Sequence, residues 1–181
     1  MIFRELEHLL REAGGVARDN EFVIIGSVAI LGKFPDAPKE LLTSVEADIY
    51  PRNRLEGSDV IERELGEGSE FHDRHGYHAH AVTPELATLP DGWETRLIRF
   101  RSKRTKGVTG WCLEPHDLAV SKLVVGRKKD TEFIYHLLVH QLVEPSGLRA
   151  RIRLLPVDQS QQNQCVRRLQ RIQGRIKDEN K

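Results

Sequence analysis

The run Phe22-Val23-Ile24-Ile25-Gly26-Ser27-Val28-Ala29-Ile30-Leu31 enters as one kind of structure and leaves as another. Phe22 to Ile25 is continuously apolar, the pattern of a strand covered on both faces. Gly26-Ser27 follows as a turn. Val28 to Leu31 then reads as the first turns of a helix, stopped by Gly32 and Pro35. Further on, Val45-Glu46-Ala47-Asp48-Ile49-Tyr50 alternates polar and apolar and is closed by Pro51. That alternation predicts a strand with both acids on one face.

Outward from this centre, Ile2, Phe3, Leu6, Leu9, Leu10 and Ala13 recur at helical spacing, and Gly14-Gly15 is the expected stop. A short helix is predicted over 58–65 with Ser58 as its N-cap, then a loop from Glu67 to Gly76 and a weak strand from Tyr77 to Val82. Thr83-Pro84 and Leu89-Pro90-Asp91-Gly92 are turn signals. Arg96–Arg101 and Val108–Leu113 read as strands around the basic turn Lys103-Arg104-Thr105-Lys106-Gly107. From Pro115 the periodicity is helical. Val166, Leu169, Ile172 and Ile176 form one stripe on the last helix, and the tail from Lys177 to Lys181 is expected to fray. The order predicts an α/β (α+β) fold: a mixed sheet flanked by helices over residues 1–113, and a helical C-terminal region, 114–181, packed on that core.

Composition excludes several classes. With 30% charged and 39% hydrophobic residues, the chain is neither disordered nor membranous. Cys112 and Cys165 are far apart and fit neither a disulfide framework nor zinc-ligand spacing, so two reduced thiols are expected. The first residues carry acids where a signal peptide carries bases, which points to a cytoplasmic protein. Charge is split along the chain. Residues 1–90 hold 9 Lys/Arg against 17 Asp/Glu, and residues 91–181 hold 19 against 10. An acidic half suits a divalent cation and a basic half suits phosphates, or the two halves neutralise each other.

The chemistry concentrates in two places. A strand that ends in Gly-Ser and feeds a helix is a phosphate cradle in outline, or simply a turn. Glu46 and Asp48, on one strand face, can hold one Mg²⁺ or Mn²⁺, or can be two solvated acids. His72, His75, His78 and His80 fall close together. His78 and His80 share a strand face. They read as a zinc site, as help for the Glu46/Asp48 metal, or as ordinary surface and core histidines.

Together these features resemble the DNA polymerase β-like nucleotidyltransferase superfamily, which opens with a Gly-Ser turn and follows it with a carboxylate pair on the next strand. Three further segments resemble a bacterial domain-of-unknown-function family of predicted nucleotidyltransferases. They are Leu89-Pro90-Asp91-Gly92-Trp93-Glu94-Thr95-Arg96-Leu97, then Leu113-Glu114-Pro115-His116-Asp117-Leu118-Ala119-Val120-Ser121-Lys122-Leu123, then Gly126-Arg127-Lys128-Lys129-Asp130. The resemblance covers roughly residues 5–145, and the Arg-Lys-Lys-Asp stretch is similar to AbiEii-type toxin nucleotidyltransferases. It implies that Gly26 and Ser27 hold a triphosphate and that Glu46 and Asp48 hold the metal. It further implies that Lys122, helped by Arg127 and Lys128, neutralises phosphate, and that Asp130 orients one of these bases or the attacking group. Read from the residues alone, Lys122 to Asp130 is equally a solvated helix face with a salt bridge.

Two departures stand out. Glu46 occupies the position of the usual first metal Asp. Where the superfamily uses a third carboxylate on a later strand, this chain offers His80, a base or ligand near neutral pH. The implied activity is metal-dependent transfer of a nucleotide from an NTP to a hydroxyl on RNA, protein or a small molecule, possible in a toxin setting. The alternative is a binding module without turnover. Arg96, Arg99, Arg101, Lys103, Arg104 and Lys106, with the arginines of the last helices, suit an RNA acceptor such as tRNA. They equally suit an acidic partner such as a cognate antitoxin, or a second subunit.

Overall fold

The computed structural model describes residues 1–179 and divides them between two compact units. The first holds Met1–Leu86 and Arg96–Glu114 and contains the whole sheet. Its strands are β1 (Glu21–Ile24), β2 (Glu46–Pro51), β3 (His78–Ala81), β4 (Ile98–Phe100) and β5 (Thr109–Cys112), in the order β3-β2-β1-β5-β4. The sheet is mixed: β1 runs antiparallel to β2 and parallel to β5, β2 is parallel to β3, and β4 is antiparallel to β5. The apolar run Phe22 to Ile24 lies at the centre, almost fully buried, as a strand covered on both faces must.

Helix α1 (Phe3–Ala17) buries Leu6, Leu9, Leu10, Ala13 and Ala17, one stripe of its surface. It does not stop at Gly14-Gly15; it runs on and ends with Arg18 in the left-handed region, φ 51°. Gly14 is there for close approach. A Cβ on it would lie 2.4 Å from Val108 Cγ2. Helix α2 (Ser58–Leu65) begins at Ser58 itself, with Gly57 as N-cap and no side-chain cap. The predicted loop from Glu67 is partly helical: α3 (Glu70–His75) is capped by Ser69, whose hydroxyl accepts from the His72 N–H at 3.2 Å, and closes on Gly76 at φ 75°. Its sequence carries no apolar stripe, so periodicity gave no sign of it, although the Ser cap and the terminal Gly were in view.

The second unit joins Ala87–Thr95 to the residues from Pro115 onward. It contains α4 (Pro115–Val125), α5 (Lys128–Val139), α6 (Pro145–Ile152) and α7 (Gln159–Glu179), as the helical pattern predicted. Asp91 N–H donates to Leu154 O at 2.7 Å and ties the early segment in. Buried on α7 are Cys165, Leu169 and Ile172. Val166 and Ile176 are half-buried, so a cysteine takes one place assigned to valine. Lys177 to Glu179 continue the helix and do not fray; Asn180 and Lys181 lie outside the described residues. Among the described residues no helix is long and apolar enough to cross a membrane.

Asp19, just ahead of β1, fastens the turn after β2. Its carboxylate accepts from Glu21 N–H and Asn53 Nδ2 on one oxygen, and from Asn53 N–H and Arg54 N–H on the other, at 2.8–3.0 Å. Burial pushes this carboxyl up, but the hydrogen bonds outweigh burial and hold its pKa below the ordinary value of 3.8. Asp19→Ala is expected to cost on the order of 3 kcal/mol at pH 7, since it orphans several donors at once. A depressed pKa contributes stability that is complete above the unfolded value and lost as pH falls through the folded one. Urea titrations from pH 7 down into acid below the ordinary carboxylate range check this: the gap between wild type and variant should shrink as pH falls.

Candidate metal and nucleotide site

The sheet register assembles the first unit's predicted site residues at one end. β2 is antiparallel to β1, so its first residues lie beside the last of β1: Ile24 pairs with Ile49, and Ile25 N–H donates to Asp48 O at 3.0 Å. β3 is parallel to β2, with Glu46 opposite His78 and Asp48 opposite His80. Glu46 and Asp48 therefore share a face, and His80 stands next to Asp48 on that face.

Gly26 follows β1 immediately. A Cβ on it would lie 1.8 Å from Asp48 Oδ2, so the Asp48 carboxylate occupies the space that any other residue would fill at position 26. Ser27 opens a 3₁₀ helix, Ser27–Gly32, in place of the α-helix that the sequence suggested. Gly26 O accepts from Ala29 N–H at 2.9 Å and closes its first turn. The four buried residues Val28, Ala29, Ile30 and Leu31 anchor that turn in the core.

His80 Nδ1 lies 2.9 Å from Asp48 Oδ1 and 3.6 Å from Glu46 Oε1. The hydrogen bond to Asp48 raises the His80 pKa against the effect of burial, and the charges of Asp48, Glu46 and Glu62 add to it. The Glu46 pKa is also raised, by burial first and then by repulsion from Asp48. One donor atom from each of Glu46, Asp48 and His80 fits within a 4.8 Å cluster, and all three residues are partly exposed. Two carboxylate oxygens and an imidazole nitrogen form a donor set that could hold a divalent metal ion. Repulsion between the two acids is what a bound cation would relieve.

His78 does not join this cluster. It is buried, Nδ1 is 3.1 Å from Ala79 O, and its ring packs against His72 at 4.6 Å. His75 packs against His8 at 4.8 Å, beside Phe71. These rings are packing elements. Glu62, a residue with no motif around it, accepts from Ala81 N–H at 2.7 Å and contributes to the field at His80.

Lys122, Arg127, Lys128 and Asp130 lie in the second unit. Asp130 is fully buried; Arg127 Nε donates to it at 2.8 Å and Lys122 Nζ stands 3.5 Å away. Burial pushes the Asp130 carboxyl up, but the Arg127 bond and the Lys122 charge overcome this and lower its pKa. Lys122 Nζ also lies over the Phe133 ring at 4.7 Å. Lys128 is exposed at the start of α5. Asp130 thus orients Lys122 and Arg127 within their own unit.

In the metal-free protein, His80 is expected to titrate above the ordinary 6.5. In Asp48→Asn its pKa should drop, because the largest raising contact is gone. ¹H–¹⁵N spectra of the imidazoles across pH 5–9 check this. A raised pKa gives linked stability that is complete below the unfolded pKa and lost as pH rises through the folded one.

Two kinds of comparison with known proteins find nothing: no curated protein and no solved structure matches the chain. A family model described as a nucleotidyltransferase of unknown function (DUF6036) matches residues 2–173.

Proposed function

Starting from the premise that the chain belongs to this nucleotidyltransferase family, we propose that it transfers a nucleotide from an NTP to a hydroxyl acceptor, with Glu46, Asp48 and His80 as the metal-holding group. The observation that carries the reading is the cluster of these donors within 4.8 Å, beside the Gly26-Ser27 turn. A divalent ion there supplies charge neutralisation to the triphosphate and Lewis acidity at the reacting phosphate. Glu46 and Asp48 hold that charge where the start of β2 lies beside the end of β1, and Gly26-Ser27 lines the triphosphate.

In the displacement, the acceptor oxygen bonds the α-phosphorus, the bond to the β-phosphate oxygen breaks, and pyrophosphate leaves. His80 takes the place of the superfamily's third carboxylate; as a metal ligand in this reading its imidazole has no second lone pair for the hydroxyl proton, which passes to solvent. Lys122, Arg127 and Lys128 are retained as phosphate-neutralising groups, and Asp130 as the residue that orients them; that part rests on the resemblance alone. RNA, a protein or a small molecule is the acceptor, and a toxin with a cognate antitoxin is the biological setting the resemblance favours. One observation favours a second reading, a nucleotide-binding module without turnover: the imidazole is already paired with Asp48 at 2.9 Å.

The test is incubation with each α-labelled NTP, Mn²⁺ or Mg²⁺, and total RNA. Label should pass to RNA or to the protein, and Asp48→Ala should lower it by at least about a hundredfold, as loss of a metal ligand does. NTP bound in the presence of metal, with no label moved, supports the binding module; no NTP bound at all sinks both readings. Gly26→Ala should fold, since the clash is with a side-chain carboxylate, yet weaken Mn²⁺ binding by about tenfold or more by displacing Asp48. Titration calorimetry with Mn²⁺ reads that directly.

A further inference from the structure

The opposite end of the sheet carries a different kind of site. Asp19 and Asn20 precede β1, Asn53 and Arg54 follow the antiparallel β2, and Lys106 to Val108 precede the parallel β5. All three segments therefore meet at the start of β1, while Gly26, Asp48 and His80 gather at its end. There they border an open cavity of about 820 Å³. A second hollow of about 550 Å³ adjoins it, and Arg11 and Lys106 line both. Both hollows lie on the first unit, side by side across these two residues, and together make up its groove.

The groove is basic. Arg18, Arg54 and Arg101 line the larger hollow, and Arg4, Lys103 and Arg104 line the smaller. Among the described residues, no carboxylate lies within the 4.0 Å ion-pair distance of Arg4, Arg18, Arg101, Lys103 or Lys106. Arg11, Arg54 and Arg104 are paired with Glu12, Glu56 and Glu7 at 2.7, 3.5 and 3.8 Å. Asp19 spends both oxygens on backbone and Asn53 donors, and Glu5 accepts from Ile2 N–H at 2.7 Å. The basic turn Lys103–Lys106 and Arg101 come from the half of the sequence read as basic, and Arg4, Arg11, Arg18 and Arg54 from the half read as acidic.

We propose that this groove binds the phosphodiester backbone of a polynucleotide. Unpaired guanidinium and ammonium groups facing an open cavity match phosphate, which arginine grips through its planar fork. The two hollows in series suit a chain of phosphates better than one compact anion. No aromatic ring lines the larger hollow, so recognition there runs through phosphates; His8 and Tyr77 line the smaller. The inference does not depend on the transfer reading, because the groove shares no residue with the Glu46/Asp48/His80 cluster.

The experiment is fluorescence polarisation with a labelled mixed-sequence 12-nucleotide RNA, in EDTA, from 20 to 300 mM salt. Wild type should bind with a steep negative dependence of log affinity on log salt. The combined variant Arg18→Ala, Arg101→Ala and Lys106→Ala should reduce that slope by about two, because each phosphate contact on a single strand contributes roughly 0.7. It should weaken binding by about tenfold or more at 50 mM salt. All three side chains are exposed, and circular dichroism checks that the variant folds. Arg167→Ala with Arg171→Ala, on α7, should leave the slope unchanged. Failure of wild type to bind, an unchanged slope in the groove variant, or a loss confined to the α7 variant would overturn the proposal. So would full displacement of the RNA by equimolar inorganic triphosphate, which would mark a compact anion pocket. Because EDTA removes the metal, any of these failures leaves the transfer reading untouched, and an inactive enzyme leaves the groove untouched.

Discussion

The approach of the Asp48 carboxylate to the bare Cα of Gly26 is the constraint on which the site depends. Its Oδ2 takes the space of a side chain on residue 26, and its backbone oxygen bonds Ile25 N–H at 3.0 Å. Asp48 is thus held against β1 by its main chain and by its side chain together. On its other side the parallel register of β3 brings His80 to 2.9 Å. The arrangement concentrates negative charge on half-exposed groups, which the raised Glu46 and His80 pKa values record. A scaffold that accepts such repulsion is suited to bind cations, because the ligand relieves a cost already present in the folded chain.

Much of this was legible in the sequence, for reasons that can be named. Phe22–Ile25 and Glu46–Tyr50 show the period of strands, and their side-chain alternation fixes which residues share a face. The mixed sheet and helical later third follow from the same patterns. Gly14-Gly15 misled because a pair of glycines usually ends a helix; here one of them answers to Val108, nearly a hundred residues away. Helix α3 was missed because a six-residue helix buries none of its residues and so shows no stripe. Cys165 replaced Val166 as a buried position on α7, a one-residue rotation that a spacing of three and four permits. The basic turn with Arg101, Lys103, Arg104 and Lys106 was legible as a candidate RNA contact, but its union with Arg18 and Arg54 was not, because these come together only when antiparallel and parallel pairings are combined.

The segments most specific in the resemblance, Pro115 to Leu123 and Gly126 to Asp130, do structural work inside the second unit. Asp117 is fully buried and lies 2.9 Å from Arg151. His116 Nε2 accepts from Glu144 N–H at 3.1 Å. Arg168 Nη1 donates to Leu123 O and Val124 O at 2.5 and 2.7 Å, and its guanidinium lies where a Cβ on Gly126 would sit. Removing one member of such a buried pair strands the other in a low dielectric, which is far costlier than losing an exposed pair. These contacts close α4 within the second unit.

The two border strands of the sheet are each withdrawn from pairing with another chain. β3 lies at one border, where Glu62 accepts from the outward Ala81 N–H at 2.7 Å. β4 lies at the other, only three residues long, with exposed Arg99 at its middle and the basic turn after it. An open border of unpaired amides templates intermolecular β-stacking, and short length, charge and a capping carboxylate are the devices that block it. The same Glu62 that bears on His80 thus also guards the sheet against aggregation, so solubility and the chemistry of the site are not independent properties of this chain.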